Sequence, residues 1–569
     1  MKKILKKYMI GMAACLCLTQ SCNVLDVDPT GSYSENIAYA SIKNLDLYVK
    51  GFYDVFYTNA DINVGSACLM DDGATDLIKY SWYGVDAGAM NRFFYTNNYV
   101  TPEGNFRSNW QAMYTRIRQL NEYFYDLNNG YGSSLDADEL KIRTAEVRFM
   151  RAFAYQELVI RHGGVILRTD EDYVDGPNER AKARSSEKDC WEFIINEYQK
   201  AAYDLPKSWP SANAGRLTQG AAYGMKARAA LYAKRWQDAI DACDEVFKLG
   251  YSLMSGKTYD DYYRIFTTVN NPELILPVYF QQGKGLKQHK FDNFFCPPYD
   301  YKAAGSDVVG AAAAPSDEYA SSFDIKVGNT WQSFDWEKLA TYNNKPWDNR
   351  EPRFYASILY NGASWKERKD ANGKAEGLQL YVDGYDGYMD FAITGQDNTH
   401  KSTTGYLFRK FMSNDSKIDF VSILSGQYWI EMRLAEIYLI RSEAYARLNQ
   451  FGPAYADLKE IRDRVGLPTL TQQGTWDAYL QDLSKERICE LGMEGHRYFD
   501  LIRWGIAVQT LDHKRLHGIK ITKSGDSFIY NRIECDTQDR LFPQKYTIFP
   551  IPYQEIKNNT LCEQNDLWK

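Results

Sequence analysis

The chain has 569 residues, of which 44% are hydrophobic and 25% are charged, a composition typical of a folded protein that excludes an intrinsically disordered one. Beyond the N-terminus, no apolar run approaches the roughly 18 residues that a membrane-spanning helix needs, so an integral transporter is excluded. Acidic residues outnumber basic ones by 74 to 67, and the net charge of −7 disfavours nucleic acid or any partner bound mainly through phosphate contacts.

The N-terminus has the pattern of a bacterial lipoprotein signal. Four lysines within the first seven residues precede a short apolar stretch over 8–18, which is too short to span a bilayer stably. Ser21 places a small residue directly before Cys22, and in such signals this cysteine becomes the lipidated first residue. We predict a signal peptide over 1–21, lipidation of Cys22 and a polar tether over 22–34, with a plain cleaved signal as the alternative. Loss of the four signal lysines takes the net charge to −11.

The cysteine pattern predicts neither a disulfide framework nor a zinc site. Seven cysteines follow Cys22, an odd number, and none forms a C-x-x-C pair. The stretch DGYDGYMD places Asp383, Asp386 and Asp390 in one loop, but it lacks the D-x-D-x-D-G spacing of a calcium loop. We therefore predict no metal and no cofactor, with a structural calcium ion in this loop as the alternative.

Hydrophobic residues recur with the helical period from Ser41 to about Leu249, which predicts a mainly α fold. Residues 227–246 and 442–461 align at a constant offset of 215, so that Trp236 matches Phe451 and Ala239 matches Ala454. An aromatic residue that opens a helix, followed three residues later by alanine, is typical of tetratricopeptide-like hairpins. Two copies so far apart cannot stack as sequence neighbours, so we expect other hairpins, or folding back of the chain, to join them.

The middle of the chain, 271–427, is rich in Gly, Pro, Asn and aromatic residues and loses the helical period. We predict one domain over 35–569, in which this loop-rich insertion separates an N-terminal helical part over 35–270 from a C-terminal helical part over 428–569. Loops on a rigid scaffold are where binding residues concentrate, so we expect the site to involve the insertion.

Motif searches argue against an enzyme. The chain has no HExxH and no GxSxG motif, and the SGKT at 255–258 lacks the spacing and the preceding strand of a phosphate loop. A pair of carboxylates for glycoside hydrolysis stays open as an alternative, because its separation is spatial and the sequence nominates no pair.

Residues 486–505, ERICELGMEGHRYFDLIRWG, resemble the hallmark segment of the SusD/RagB family of nutrient-binding lipoproteins. Four further segments resemble the family in the same order along the chain, at 21–29, 145–167, 433–450 and 549–566. The chain is therefore identified as a member of this family. The hallmark segment looks like an active site in linear sequence, but we interpret its charges as fold determinants that satisfy one another. These charged residues are Glu486, Arg487, Glu490, Glu494, His496, Arg497, Asp500 and Arg503.

The resemblance implies capture rather than catalysis. Family members are outer-membrane lipoproteins of Bacteroidetes, exposed at the cell surface, that bind oligosaccharides or polysaccharide and deliver them to a SusC-like TonB-dependent transporter. The resemblance thus implies a SusD-like α fold, a lipid anchor, a glycan ligand and a transporter partner. The same fold and transporter with a peptide or another nutrient as cargo is the alternative, and a glycoside hydrolase is a third.

The family's ligand residues vary between members, so the candidate site residues are chosen from composition and position. We expect aromatic side chains to stack on sugar rings and polar side chains to bind hydroxyl groups, with core packing as the alternative role of the aromatics. The candidates for stacking are Trp82, Tyr83, Tyr299, Trp331 and Trp336, and those for polar contacts are Asp72 and Arg92.

Overall fold

The computed structural model describes residues 35–60, 70–80, 92–104, 108–173, 181–283, 286–303, 310–366, 368, 375–387, 401–415 and 424–569. The predicted signal peptide, Cys22 and the tether lie outside these ranges and stay predictions. Within the described ranges, no helix is both long enough and apolar enough to cross a membrane.

The fold is mainly helical, as predicted. Its α-helices are α1 Glu35–Ala38, α2 Ile42–Phe52, α3 Asp54–Asn59, α4 Trp110–Asn128, α5 Ala137–His162, α6 Glu187–Asp204, α7 Gln219–Tyr232, α8 Trp236–Phe247, α9 Tyr259–Tyr263, α10 Phe291–Phe295, α11 Pro298–Ala303, α12 Asp317–Ser322, α13 Pro352–Ser357, α14 Leu434–Arg447, α15 Phe451–Asp463, α16 Trp476–Leu491, α17 Arg497–Trp504, α18 Ala507–Leu511 and α19 Tyr553–Asn558.

The described strands form five separate antiparallel pairs, β1–β3, β2–β8, β4–β5, β6–β7 and β9–β10. Their bounds are β1 Ile78–Tyr80, β2 Leu274–Val278, β3 Ala313–Pro315, β4 Asp324–Val327, β5 Thr330–Ser333, β6 Ile358–Leu359, β7 Leu407–Phe408, β8 Trp429–Arg433, β9 His517–Ser524 and β10 Ser527–Glu534.

The helices form a continuous stack that the insertion interrupts in sequence but not in space. Helices α4 to α8 pack consecutively, each against the next, and α8 then packs against α14, which contacts both α15 and α16. The two hairpins found by alignment, α7–α8 and α14–α15, therefore lie directly against each other. Of the two arrangements that the sequence left open, the chain uses folding back.

The repeat at an offset of 215 extends to the turns between the helices. Lys234 and Asn449 occupy equivalent positions and both have left-handed backbone, with φ of 59° and 60°. In each turn the next N–H donates to the carbonyl five residues earlier, at 2.8 Å from Arg235 to Ala230 and 2.8 Å from Gln450 to Tyr445. This is the Schellman ending of a helix, and it sets the same reversal in both hairpins.

The hallmark segment lies at the centre of a buried cluster of charges, which we call the Glu490 network. The Glu490 carboxylate accepts from Arg433 at 2.6 Å, from Arg353 at 3.2 Å and from Arg464. Glu494 accepts from Arg433 at 2.7 Å and from Lys410 at 2.7 Å. The network consists of Glu273, Glu351, Glu486, Glu490, Glu494, Arg353, Lys410, Arg433, Arg462 and Arg464, all buried.

The Glu490 network ties the insertion to the helical scaffold. Glu490 lies on α16, whereas Arg353 lies on α13 and Lys410 follows β7, both within the insertion. Lys410 also donates to the carbonyl oxygens of Gly492 at 2.8 Å and Glu490 at 3.3 Å. The interpretation of the hallmark charges as mutually satisfied fold determinants is confirmed, because each buried carboxylate faces a buried cation.

Replacing Glu490 with glutamine is expected to lower the free energy of unfolding by about 3–5 kcal/mol, because it leaves buried arginines without their shared counter-charge. Urea denaturation followed by circular dichroism measures this. The matched control is Glu245→Gln, which breaks an exposed pair with Lys248 at 2.6 Å and should cost less than about 1 kcal/mol. Equal losses in the two variants would contradict the role assigned to the network.

Acid is expected to remove stability over two pH ranges. In the first range buried neutral histidines gain a proton, and in the second a buried ionised glutamate gains one. Burial lowers the pKa of His162 and His496 to about 4 from an ordinary 6.5, so their contribution to stability is lost as the pH falls from 6.5 towards 4. Burial alone would raise the pKa of Glu494, but Arg433 and Lys410 hold it at about 2, so its contribution is lost between pH 4.5 and 2. Glu431 opposes the histidines, because burial raises its pKa to about 7 from an ordinary 4.5 and its contribution to stability grows as the pH falls over that range. The free energy of unfolding, measured by urea denaturation, should therefore fall most steeply below pH 4.5, and a value that rises between pH 4.5 and 2 would contradict this.

Candidate functional site

Seven aromatic side chains form what we call the aromatic strip, which crosses the insertion and the β9–β10 hairpin. Ring contacts join them in two runs, and the turn that carries both Tyr381 and Tyr385 connects the runs. The first run is Tyr299 and Tyr385, and the second is Tyr381, Phe528, Tyr530, Trp347 and Trp336. The ring centroids are 6.0 Å apart for Tyr299 and Tyr385, 5.5 Å for Tyr381 and Phe528, and 6.5 Å for Phe528 and Tyr530. Such separations are those of interacting aromatic pairs.

The strip continues to a second cluster of rings. Trp347 lies 5.8 Å from Tyr530 and 5.8 Å from Trp336, with near-perpendicular planes in both cases. Tyr385 is 62% exposed and Trp347 is buried, while the other members are half-buried. The strip therefore presents aromatic surface to solvent while its other side packs against the protein.

Local geometry explains why these residues align. Phe528 and Tyr530 are two residues apart on β10, so their side chains project from the same face of the hairpin. Tyr381 and Tyr385 flank a tight turn in which the Gly384 N–H donates to the Tyr381 carbonyl at 2.8 Å. A Cβ at Gly384 would lie 2.2 Å from the Gln379 carbonyl oxygen, so this turn requires glycine.

Arg368 organises the polar end of the strip. Its guanidinium lies 4.8 Å from the centroid of the Tyr299 ring and donates to Asp300 at 2.8 Å and to Asp386 at 2.5 Å. Asp300 also accepts from the Trp365 indole at 3.0 Å. Burial raises the pKa of Asp386, and the Arg368 charge opposes that rise. These contacts hold the Tyr299 ring in place, and Lys366, 3.6 Å from Asp300, supplies the second cation that balances the two carboxylates.

Asp317 organises the other end. Both of its carboxylate oxygens lie 3.0 Å from the Trp336 indole nitrogen, which donates to them. The same carboxylate accepts from Tyr406 at 2.9 Å and from Arg532 at 2.6 Å. Flat aromatic faces next to fixed donors and acceptors suit a ligand that combines apolar ring faces with hydroxyl groups.

The structure locates five of the seven candidate residues. Tyr299 and Trp336 lie at opposite ends of the strip. Trp331 lies on β5, half-buried, with the Lys326 ammonium 5.9 Å from its ring, outside the ring contacts that define the strip. Arg92 is exposed and lies 5.8 Å from the Tyr99 ring. Trp82 and Tyr83 lie outside the described residues and stay predictions.

Asp72 requires a correction. Its side chain is fully buried and accepts from the backbone N–H groups of Arg497 at 2.9 Å and Gly495 at 3.2 Å, at the start of α17. Neither N–H group has a partner within α17. A negatively charged carboxylate at this position also interacts favourably with the positive end of the helix dipole. Asp72 therefore holds the fold and is not at a ligand surface.

Five members of the strip were not among the sequence candidates: Tyr381, Tyr385, Phe528, Tyr530 and Trp347. The alternation of SFIYNRIE over 527–534 indicates a strand with two rings on one face. No sequence pattern indicates that this face contacts Tyr381, which lies more than 140 residues earlier in the chain.

The predicted absence of metal is not tested. For the alternative, a calcium ion bound by Asp383, Asp386 and Asp390, one of the three carboxylates is already engaged within the protein. Asp386 is fully engaged by Arg368 and by the Gln379 N–H at 2.7 Å, while Asp390 lies outside the described residues. Across the described ranges, no group of three or more His, Cys, Asp or Glu side chains is arranged to hold a metal ion.

Comparison with known protein families identifies the family of this chain. The sequence profile described as the SusD family matches residues 272–568, more than half of the chain. The chain belongs to the SusD family. A second profile, described as starch-binding associating with outer membrane, matches residues 52–231.

Individual relatives match along nearly the whole chain. A SusD-like protein of Formosa agariphila is 24% identical, with 95% of this chain and 94% of that protein covered. The starch-binding protein SusD of Bacteroides thetaiotaomicron is 23% identical, with 81% and 79% covered. The crystal structure of a SusD-like protein from Bacteroides fragilis superimposes with a TM-score of 0.78 at 27% identity, covering 94% of this chain and 98% of the other.

Replacing Asp72 with alanine is expected to lower the free energy of unfolding by about 1–3 kcal/mol, because the N–H groups of Gly495 and Arg497 lose their acceptor. Thermal and urea denaturation measure this. Arg92→Ala, at the neighbouring exposed candidate, should change stability by no more than about 0.5 kcal/mol. An Asp72→Ala variant of normal stability would restore this residue as a ligand candidate.

Proposed function

We propose that the protein is a cell-surface glycan-binding lipoprotein, which captures oligosaccharides or polysaccharide and delivers them to a SusC-like TonB-dependent transporter of the outer membrane. The observation that carries the proposal is the aromatic strip, with Arg368 and Asp317 fixing its two ends. Support comes from the similarity to a starch-binding relative and from the family profile that names starch binding.

The chemistry of the strip matches that of a sugar chain. A pyranose ring has a face of C–H groups that packs on Tyr or Trp, and its hydroxyl groups need donors and acceptors at the ring edge. The partly exposed rings of the strip, which do not include the buried Trp347, can contact successive sugar units. A shallow, open row also allows release, which a capture protein requires in order to hand its cargo on.

The carboxylates at the strip support capture rather than hydrolysis. A glycosidase needs one carboxyl group to donate a proton and another to act as nucleophile or base. Asp300, Asp317 and Asp386 are all buried or nearly so at the side chain, and each is held by an arginine. These three carboxylates thus stabilise the rings.

The N-terminal sequence pattern supports a location at the outer membrane. We propose lipidation at Cys22 and a tether over 22–34 that holds the domain at the outer surface of the outer membrane. The acidic net charge fits a protein that binds a neutral polymer rather than nucleic acid.

Single Tyr299→Ala and Tyr385→Ala variants are expected to weaken glycan binding about tenfold each, equivalent to about 1.4 kcal/mol, because each removes one stacking surface. Isothermal titration of the soluble chain lacking residues 1–22 measures this, after a panel of plant, host and microbial glycans has identified the ligand. Tyr203→Ala is the control, since Tyr203 is a 71% exposed tyrosine at the end of α6, outside the strip.

The panel separates the proposal from its alternatives. Saturable binding to one glycan class without hydrolysis products supports capture. Binding of peptides but of no glycan would favour the second cargo class, and released sugars would overturn the assignment as a non-enzyme. Unchanged affinity in both strip variants would show that the site lies elsewhere.

A further inference from the structure

A cavity that shares no residue with the aromatic strip opens where α2, α3, α4 and β2 meet. We call it the Tyr57 pocket. Its volume is about 540 Å³, and its walls include Tyr57, Tyr279, Leu276 and Val278. This is within the range of about 300–1,000 Å³ typical of pockets that hold small molecules, and the mixture of aromatic, aliphatic and a few charged groups is typical of such sites.

The aromatic walls are held rigidly. The Tyr57 hydroxyl donates to the Tyr279 carbonyl at 2.8 Å, and the Tyr57 ring meets Phe280 edge-on at 5.1 Å. The Tyr279 hydroxyl donates to the Asn270 side chain at 2.8 Å. Gly215 has φ of +89°, and a Cβ there would lie 2.8 Å from the Tyr279 ring, so the ring packs directly on this glycine.

Cations outnumber carboxylates at the rim of the pocket. Asp54 accepts from both Arg116 and Lys287, and Asp46 accepts from Arg143 at 2.9 Å and from the rim residue Arg216. The Lys287 ammonium also lies 5.1 Å from the Tyr57 ring. Each of these cations faces a carboxylate, so the rim offers paired hydrogen-bonding groups with an excess of positive charge.

Gly51 keeps the pocket open. This glycine lies near the end of α2, is exposed and lines the pocket, and a Cβ placed on it would meet nothing within 4 Å. Glycine inside a helix costs about 1 kcal/mol relative to alanine. A side chain would therefore fit sterically and favour the helix, but a large one would project into the space of the pocket.

We propose that the Tyr57 pocket is a second binding site for a saccharide of one or two rings, separate from the strip. The partly exposed rings of Tyr57 and Tyr279 provide surface for the C–H face of a sugar, whereas Leu276 and Val278 of β2 are buried. Asp54, Arg116 and Lys287 provide acceptors and donors for its hydroxyl groups. A glycan that engages both sites would gain affinity through effective concentration.

The test uses Gly51→Phe, which fills the pocket, in a Tyr299→Ala/Tyr385→Ala background that disables the strip. Gly452→Phe is the matched control, because Gly452 is also an exposed helical glycine whose added Cβ meets nothing within 4 Å, and it does not line the pocket. The probes are glucose, galactose, mannose, maltose and cellobiose, with glucuronate as the anionic comparison, and binding is measured by saturation-transfer NMR titration.

The proposal predicts saturable binding of at least one of these probes in the background protein and in Gly452→Phe, and at least tenfold weaker binding in Gly51→Phe. Circular dichroism melting should show that both phenylalanine variants fold. Equal binding in both variants, or no binding of any probe, would overturn it. None of these results bears on glycan binding by the strip, which the intact chain and the single strip variants report separately.

Discussion

The structure depends on a single buried carboxylate that three arginines share. Glu490 cannot lose its charge without leaving one buried positive charge in excess, because the network otherwise pairs five carboxylates with five cations. The three arginines come from distant parts of the chain. The network therefore specifies where the insertion sits on the helical stack, and so where Tyr299 and the rest of the strip are presented.

The helical scaffold could be predicted largely from the sequence, because its determinants are local. The offset of 215 that aligned Trp236 with Phe451 matches helix bounds and even the left-handed turn residues Lys234 and Asn449. Direct packing of α8 on α14 could not be predicted, since both arrangements bury the same alanine faces. The path of the long insertion between α8 and α14 decides which hairpins pack together. The hydrophobic period of the helices carries no information about that path.

The strip overlaps the sequence candidates only in part, for a related reason. Tyr299 and Trp336 were chosen because loop-rich, aromatic segments tend to bind ligands, and they mark the two ends of the strip. The middle of the strip depends on contacts between the turn at Gly384 and the hairpin that carries Phe528 and Tyr530. Asp72 shows the converse error: a carboxylate beside a loop looks available in sequence, yet two distant backbone N–H groups occupy it. Membership of the SusD family fixes the fold but not these contacts.

The central claim is that the strip is the surface that captures a glycan. The most direct measurement is a crystal structure of the soluble chain, lacking residues 1–22, in complex with an oligosaccharide selected by the titration panel. The account predicts a sugar ring stacked on Tyr299 or Tyr385, with further units following the strip towards Trp336. A well-defined oligosaccharide bound elsewhere, with the strip rings untouched, would contradict it.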